Sequence, residues 1–338
     1  SDLTRAPAAP ATAPRSRSPD PSVSRTIRRA MPDPLRVSAV TFLNAWPLVQ
    51  PLLGKHLPAD RVPRHPDGTP LFLVDEVLPS ECARRLERGE CDLALVPVAA
   101  CAAHPEWEVV PEVGIGCRGP VHSVLLVSDV PLEQIDAIHL DAASRTSAVL
   151  VQLLLAARGL APRYAHAPHR EGAGMVRGRD AALVIGDAAM ALHDRFAHVY
   201  DLGALWLEQT GLPFVFAVWA ARPGALTPAH VTALQDARAY GLKHAEELAH
   251  AYRDGLVRAG APERDLLSDN AYANYLRRTI RYSLSTKERE GLVEFLTQGR
   301  EAGLLTIPGL DPDDPVHIHF AGSAAPEVLA TARRQRRP

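Results

Sequence analysis

Cysteine is scarce in this 338-residue chain, which has only Cys82, Cys91, Cys101 and Cys117. Their spacings of 9, 10 and 16 contain no CxxC pair, which argues against structural zinc and for free cytosolic thiols. No apolar run approaches the ~18 residues of a membrane span, and the start lacks the roughly 7–15-residue apolar stretch of a secretory signal. HExxH, G-x-S-x-G and Walker patterns are absent, and no G-x-G-x-x-G follows a strand-like run. Metalloprotease, serine-hydrolase and nucleotide-binding chemistry therefore lack their usual signatures. The body also lacks positive charge. The net charge is −2, yet residues 1–30 hold six Arg against Asp2 and Asp20, and the last eight residues add four Arg. That leaves −10 on residues 31–330 (−2 − 4 − 4). Such a body does not fit a nucleic-acid surface, which needs clustered Lys and Arg.

What is present is an ordinary globular composition, 46% hydrophobic and 22% charged. At ~150 residues per domain, the length suggests about two domains. Residues 1–32 are rich in Ala, Pro, Ser and Arg, a composition that cannot offset its own ordering entropy, so a disordered extension is expected there. Residues 321–338 read as a basic, solvated tail. Met31 stands just before the first strand-like run and reads as a physiological start. The expected location is cytoplasmic.

LRVSAVTFL is a β-branched strand-like run, followed by a helix-like NAWPLVQPLL. TPLFLVDEVLPS reads as a strand ending near Ser80, which would cap the helix ECARRLERGE. CDLALVPV is continuously apolar, as a strand buried on both faces tends to be. HSVLLVS, IDAIHLDA, DAALVIG and FVFAVWA read as further strands, and SRTSAVLVQLLLAARG as a strongly periodic helix closed by Gly159. From Pro228 to about Gly303 the pattern is helical. Strands alternating with helices predict an α/β fold of mainly parallel sheets flanked by helices, and two such blocks predict two lobes.

In such sheets ligands bind beyond the carboxyl ends of the strands. FLNAWP, LVPVAA, LDAASRTS and VIGDAA place small or polar groups there, two segments from each block. A ligand cleft between the lobes is the expectation. Asn44 fits two roles, a helix N-cap or a cleft amide. Ser144, Arg145, Thr146 and Ser147 open the best helix, where free N–H groups and the helix dipole favour an anion, although capping explains them as well. Arg145 reads most simply as an exposed helix-face residue. Ser123 would cross between lobes or end a loop. Gly186 would admit close backbone approach, and Asp187 would cap a helix or act as an acid. His317 and His319 lack a third metal ligand, and His166 and His169 read as surface loop. Trp206, Trp219, Phe214 and Phe216 read as core. Residue chemistry alone stops at a two-lobed binder of a small anion.

Several segments together carry a resemblance: FLNAWPL, GECDLALVPV, GPVHSVLLVS, SRTSAVLVQLLL, AALVIGDAAM and DLGALWLEQTGLPFVFAVWA. In this order, over about residues 35–300, they resemble the chorismate dehydratase family of the futalosine route to menaquinone. The resemblance implies a two-lobed, type II periplasmic-binding-protein-like fold. Lobe one would comprise 33–120 and 216–320, and lobe two 121–215, with HSVLLVS and FVFAVWA as the crossings. It implies loss of water from chorismate to give 3-[(1-carboxyvinyl)oxy]benzoate, with no metal and no organic cofactor, by a monomer or homodimer without membrane or nucleic-acid partner. Asn44 would be the catalytic residue. Ser80, Val98, Ser123, Ser144, Arg145, Thr146, Ser147, Gly186 and Asp187 would bind substrate. The sequence departs from the family at Ala99, where a hydroxyl is common, and at Ala142 and Ala143, where a small polar residue is expected. The alternatives are a non-catalytic small-anion binding protein on the same fold and the sister 1,4-dihydroxy-6-naphthoate synthase.

Overall fold

The computed structural model describes residues 33–311, 314–323 and 327–328. The expected extension over 1–32, Met31 and most of the expected tail lie outside the described residues.

β1 (Leu35–Val40) leads through a 3-10 turn (Leu43–Ala45) into α1 (Trp46–Leu53), and β2 (Phe72–Val77) into α2 (Pro79–Glu87). β3 (Leu93–Pro97), α3 (Val98–Ala103) and β4 (Glu108–Cys117) follow. The chain then builds a second sheet from β5 (Val124–Ser128), β6 (Ala137–Asp141), α4 (Arg145–Ala156), β7 (Arg163–Ala167) and β8 (Asp180–Ile185). α5 (Asp187–Met190), β9 (His198–Asp201) and α6 (Leu202–Thr210) complete that half, and β10 (Phe214–Ala221) returns to the first sheet. α7 (Pro228–Lys243), α8 (Ala245–Arg258) and α9 (Asp269–Asn274) come next, then a π-helical turn (Tyr275–Thr279). β11 (Ile280–Arg281), α10 (Thr286–Glu301), β12 (His317–Phe320) and β13 (Glu327–Val328) close the described chain.

The strand order is β13-β12-β4-β10-β3-β1-β2 in the larger sheet, with β11 on β4, and β7-β6-β8-β5-β9 in the smaller. The sheets are mixed rather than mainly parallel. β1 pairs in parallel with β2 and β3, and β6 with β7 and β8. β10, however, runs antiparallel to β3 and β4, and β5 antiparallel to β8 and β9. Both strands enter their sheet directly from the other half, so no helical crossover forces them parallel. Passage between the sheets falls in residues 118–123 and 202–213, ahead of β5 and β10.

Other expectations also change. β4 escapes sequence reading because Pro111 and Glu112 (φ 62°) interrupt its pattern. Gly116 in β4 is needed for packing: a Cβ there would stand 2.5 Å from the Phe214 carbonyl oxygen. α2 begins at Pro79 with Leu78 as its N-cap, so Ser80 sits inside the first turn and caps nothing. Within the expected tail, Glu327–Val328 form β13, which pairs with β12. β3 and β5 are buried along their whole length, which is why both read as continuous apolar runs. Trp206, Phe214 and Phe295 meet edge-on with centroids 5.1–6.3 Å apart, the preferred geometry for buried aromatics.

Candidate active site

The ends of β1, β3 and β8, the start of α4 and the middle of β10 converge on one cavity with about 590 Å³ of empty space. Val40, Phe42, Leu95, Ile115, Ile185 and Phe216 give it apolar walls, and Asn44, Ser123, Ser144, Thr146 and Ser147 supply the polar groups. Phe216 therefore faces the cavity, whereas Trp206, Trp219 and Phe214 are core. Among the described residues, no Asp, Glu, His, Lys, Arg, Cys or Tyr lines this space.

Asn44 sits in the 3-10 turn after β1. The N-caps there are Phe42 and Ala45, neither with a side-chain bond, so Asn44 is not a cap. The α4 start is capped and also borders the cavity. Ser144 caps the helix by accepting from the Ser147 N–H at 3.3 Å while also lining the cavity. The N–H groups of Arg145 and Thr146 have no intrahelical acceptor, as at any helix start. Thr146 Oγ1 accepts from the Ala99 N–H at 3.2 Å and donates to the Phe216 carbonyl at 3.3 Å, tying α4 to the larger sheet. The Ala99 backbone thus meets a hydroxyl supplied by α4.

Ser123 lies in the crossing segment before β5, is fully buried, and accepts from the Tyr275 hydroxyl at 2.8 Å. Gly186 has φ 71° and ψ −155°, a conformation open essentially to glycine. Its N–H donates to the Ser123 carbonyl at 2.8 Å, and a Cβ would stand 3.2 Å from the Phe42 ring.

Four expected site residues do not line the cavity. Ser80 and Val98 follow the prolines that do, Pro79 and Pro97, and Val98 points into the core. Arg145 turns outward to Glu87 of α2 at 2.7 Å, because the acidic partner lies on the neighbouring helix. Asp187 reaches across to the other half, where its carboxylate accepts from the Leu43 N–H at 3.1 Å. Burial raises the Asp187 carboxyl above its ordinary range, with the Tyr252 hydroxyl and the Leu43 N–H opposing the shift.

Sequence reading missed Tyr275 and Tyr252, which lie in the helical stretch far along the chain. It also misplaced two histidines. His166 belongs to β7, and His169 is held by the buried Asp141 at 2.9 Å with its ring 5.6 Å from Phe42. Among the described residues, no group of three or more His, Cys, Asp or Glu is arranged to hold a metal ion. No helix there is long and apolar enough to cross a membrane.

Residues 35–301 match the family described as menaquinone biosynthesis. A chorismate dehydratase of Thermus thermophilus is 35% identical over 218 residues, 56% of this chain and 79% of that protein. The solved structure of a protein from Archaeoglobus fulgidus covers 80% of this chain and 98% of its own, at 13% identity and TM-score 0.61. The periplasmic aliphatic sulphonate binding protein of Escherichia coli covers 89% of this chain and 98% of its own, at 17% identity and TM-score 0.53. The structural matches speak for fold alone, a periplasmic-binding-protein-like one. The sequence match decides the rest: this chain belongs to the menaquinone-biosynthesis family.

Proposed function

We propose that this protein is a chorismate dehydratase, a hydro-lyase that converts chorismate to 3-[(1-carboxyvinyl)oxy]benzoate and water. Beside the family, the observation that carries this reading is a cavity with apolar walls and a helix start, whose lining contains no titratable side chain. Chorismate is a small dianion whose ring becomes aromatic when the C3 proton and the C4 hydroxyl leave. The C3 proton is conjugated through a ring double bond to the ring carboxylate, so negative charge builds on that carboxylate as the proton departs. The α4 start, with Ser144, Ser147 and the free N–H groups, is the place for it and stabilises the charge as an oxyanion hole does.

A neutral amide such as Asn44 is a very poor base, and the lining offers no better one. The substrate's own enolpyruvyl carboxylate therefore takes the C3 proton, and Asn44 orients the reacting carbon and the leaving hydroxyl. One C–H and one C–O bond break, the last ring double bond forms, and the proton leaves with the C4 hydroxide as water. The apolar walls exclude bulk water and hold the ring in place. No metal or organic cofactor takes part. The two lobes, 33–120 with 216–320 and 121–215, close over the substrate, and the protein works in the cytoplasm.

The test is purified protein with chorismate and no added metal, followed by chromatography with mass detection. A product lighter by one water, formed by wild type and reduced at least about 100-fold in Asn44→Ala, is expected. Tight binding of chorismate without turnover would instead mean an anion-binding protein on the same fold.

A further inference from the structure

The 3-10 turn Leu43–Ala45 brings Asn44 to the cavity, and it has no cap of its own. Its N-cap residue, Phe42, offers no side-chain acceptor, and Leu43 is fully buried. The first N–H groups of a helical turn find no partner within it, and a buried one left bare is costly. Here the partner comes from the other sheet. Both carboxylate oxygens of Asp187, at the start of α5, face the Leu43 N–H, Oδ1 at 3.1 Å and Oδ2 at 3.3 Å. An aspartate in the first turn of a helix ordinarily faces that helix's own free N–H groups. Asp187 instead serves one 144 residues away. The backbone before it is held in place for this: Gly186 stands at φ 71° and ψ −155°, and its N–H is tied to the Ser123 carbonyl at 2.8 Å.

We propose that Asp187 is a positioning residue that caps the Asn44 turn from the opposite sheet, so that Asn44 is fixed in the cavity only while the two sheets are docked. The donor is a backbone N–H and the acceptor a carboxylate oxygen, so the bond has one direction. Asp187 does not line the cavity and therefore acts through Asn44 rather than on substrate. Leu43 and Asn44 are neighbours in a turn of three residues, so a displaced Leu43 N–H carries Asn44 with it, and a misplacement of about 1 Å can cost about 100-fold in rate. The bond joins the end of β1 in the larger sheet to the end of β8 in the smaller, and it breaks when the sheets part. The assignment rests on the dehydratase reading for what Asn44 does once placed, which is to orient the reacting carbon and the leaving hydroxyl.

Asp187→Ala removes the acceptor, and Asp187→Asn keeps an acceptor oxygen of the same reach. In the full chain, kcat for chorismate should fall about 10–100-fold in Asp187→Ala with KM changed less than about 3-fold, the signature of lost orientation rather than lost binding. Asp187→Asn should recover to within about 5-fold of wild type. The double variant Asp187→Ala/Asn44→Ala should lie no more than about 3-fold below Asn44→Ala, because both changes act at one group. Unchanged kcat in Asp187→Ala, an Asp187→Asn as slow as Asp187→Ala, or losses that multiply independently would overturn the proposal. A second measurement needs no turnover. The chain has three Phe-Leu pairs, at 42–43, 72–73 and 295–296. Carbonyl-¹³C phenylalanine combined with ¹⁵N-leucine thus leaves three correlated amides, with Leu43 assigned by its loss in Phe42→Leu. The Leu43 amide proton should move upfield in Asp187→Ala and stay nearer its place in Asp187→Asn. Asp187→Ser, whose hydroxyl is one bond too short to reach Leu43, replaces the alanine variant if that one does not fold. A Leu43 resonance that stays in place in the folded alanine or serine variant refutes the cap. Should wild type leave chorismate unchanged, the dehydratase reading fails, and the Leu43 amide still decides the role of Asp187.

Discussion

Gly186→Ala tests whether one backbone position between β8 and α5 controls the site. With φ 71° and ψ −155°, Gly186 lies in a region that costs a residue with a side chain about 1–3 kcal/mol. The new methyl would also stand 3.2 Å from the Phe42 ring, and relieving such overpacking costs about 1–3 kcal/mol. The backbone cannot drift to escape, because the Gly186 N–H is bonded to the Ser123 carbonyl at 2.8 Å. The sum is a loss of about 2–6 kcal/mol, read as a lower urea midpoint at unchanged m-value. Since Phe42 lies two residues from Asn44, kcat for chorismate should fall at least about 10-fold as well. Adding Phe42→Leu should recover the steric share of the stability and leave the backbone share. Gly255→Ala is the control: it lies inside α8 with no atom within 4 Å of its Cβ position, and should stabilise by about 0.5–1 kcal/mol. A Gly186→Ala protein within 0.5 kcal/mol of wild type, by the same threshold of about one-half that separates neutral surface changes from strain, would refute the reasoning.

Two further outcomes follow from charged groups outside the cavity. Arg36 and Arg222 contact Asp92 at 2.8 and 2.6 Å and lower its carboxyl from 3.8 to about 2, the Arg36 hydrogen bond first among the causes. A lowered carboxyl stabilises the fold above its unfolded pKa and loses that contribution as pH falls toward 2, so Asp92→Asn should cost about 1 kcal/mol at pH 7 after solvent screening. Denaturant melts of both proteins should converge between pH 4 and about 2; a constant gap would sink the idea. Arg145→Ala should leave KM for chorismate within about 2-fold, since a half-exposed pair with Glu87 contributes little; steady-state kinetics showing a 10-fold rise would return Arg145 to the substrate.

The parts of the site legible in the sequence are those whose signal is local. Ser144, Thr146 and Ser147 announce themselves as hydroxyls at the start of a periodic helix, and Gly186 as a glycine between strand and helix. Asn44 is legible as a residue at a strand end, but its choice between cap and cleft depends on the backbone of the 3-10 turn. Arg145 faces outward as its helix position suggested, but its partner Glu87, 58 residues away, was not legible. Tyr275 gave no signal, since a tyrosine in a helical stretch reads as core and a π turn leaves no periodicity of its own.

Sequence alone determined the family, the α/β class and the convergence of strand ends on one cleft, because hydrophobic period, caps and glycines act over a few residues. Tertiary structure decided the sheet directions, through strands that enter from the opposite half, and the inner hydrogen-bond order of the site. Where Asp187 and Ser123 are held depends on partners 144 and 152 residues away along the chain. Only packing brings such groups within hydrogen-bond reach.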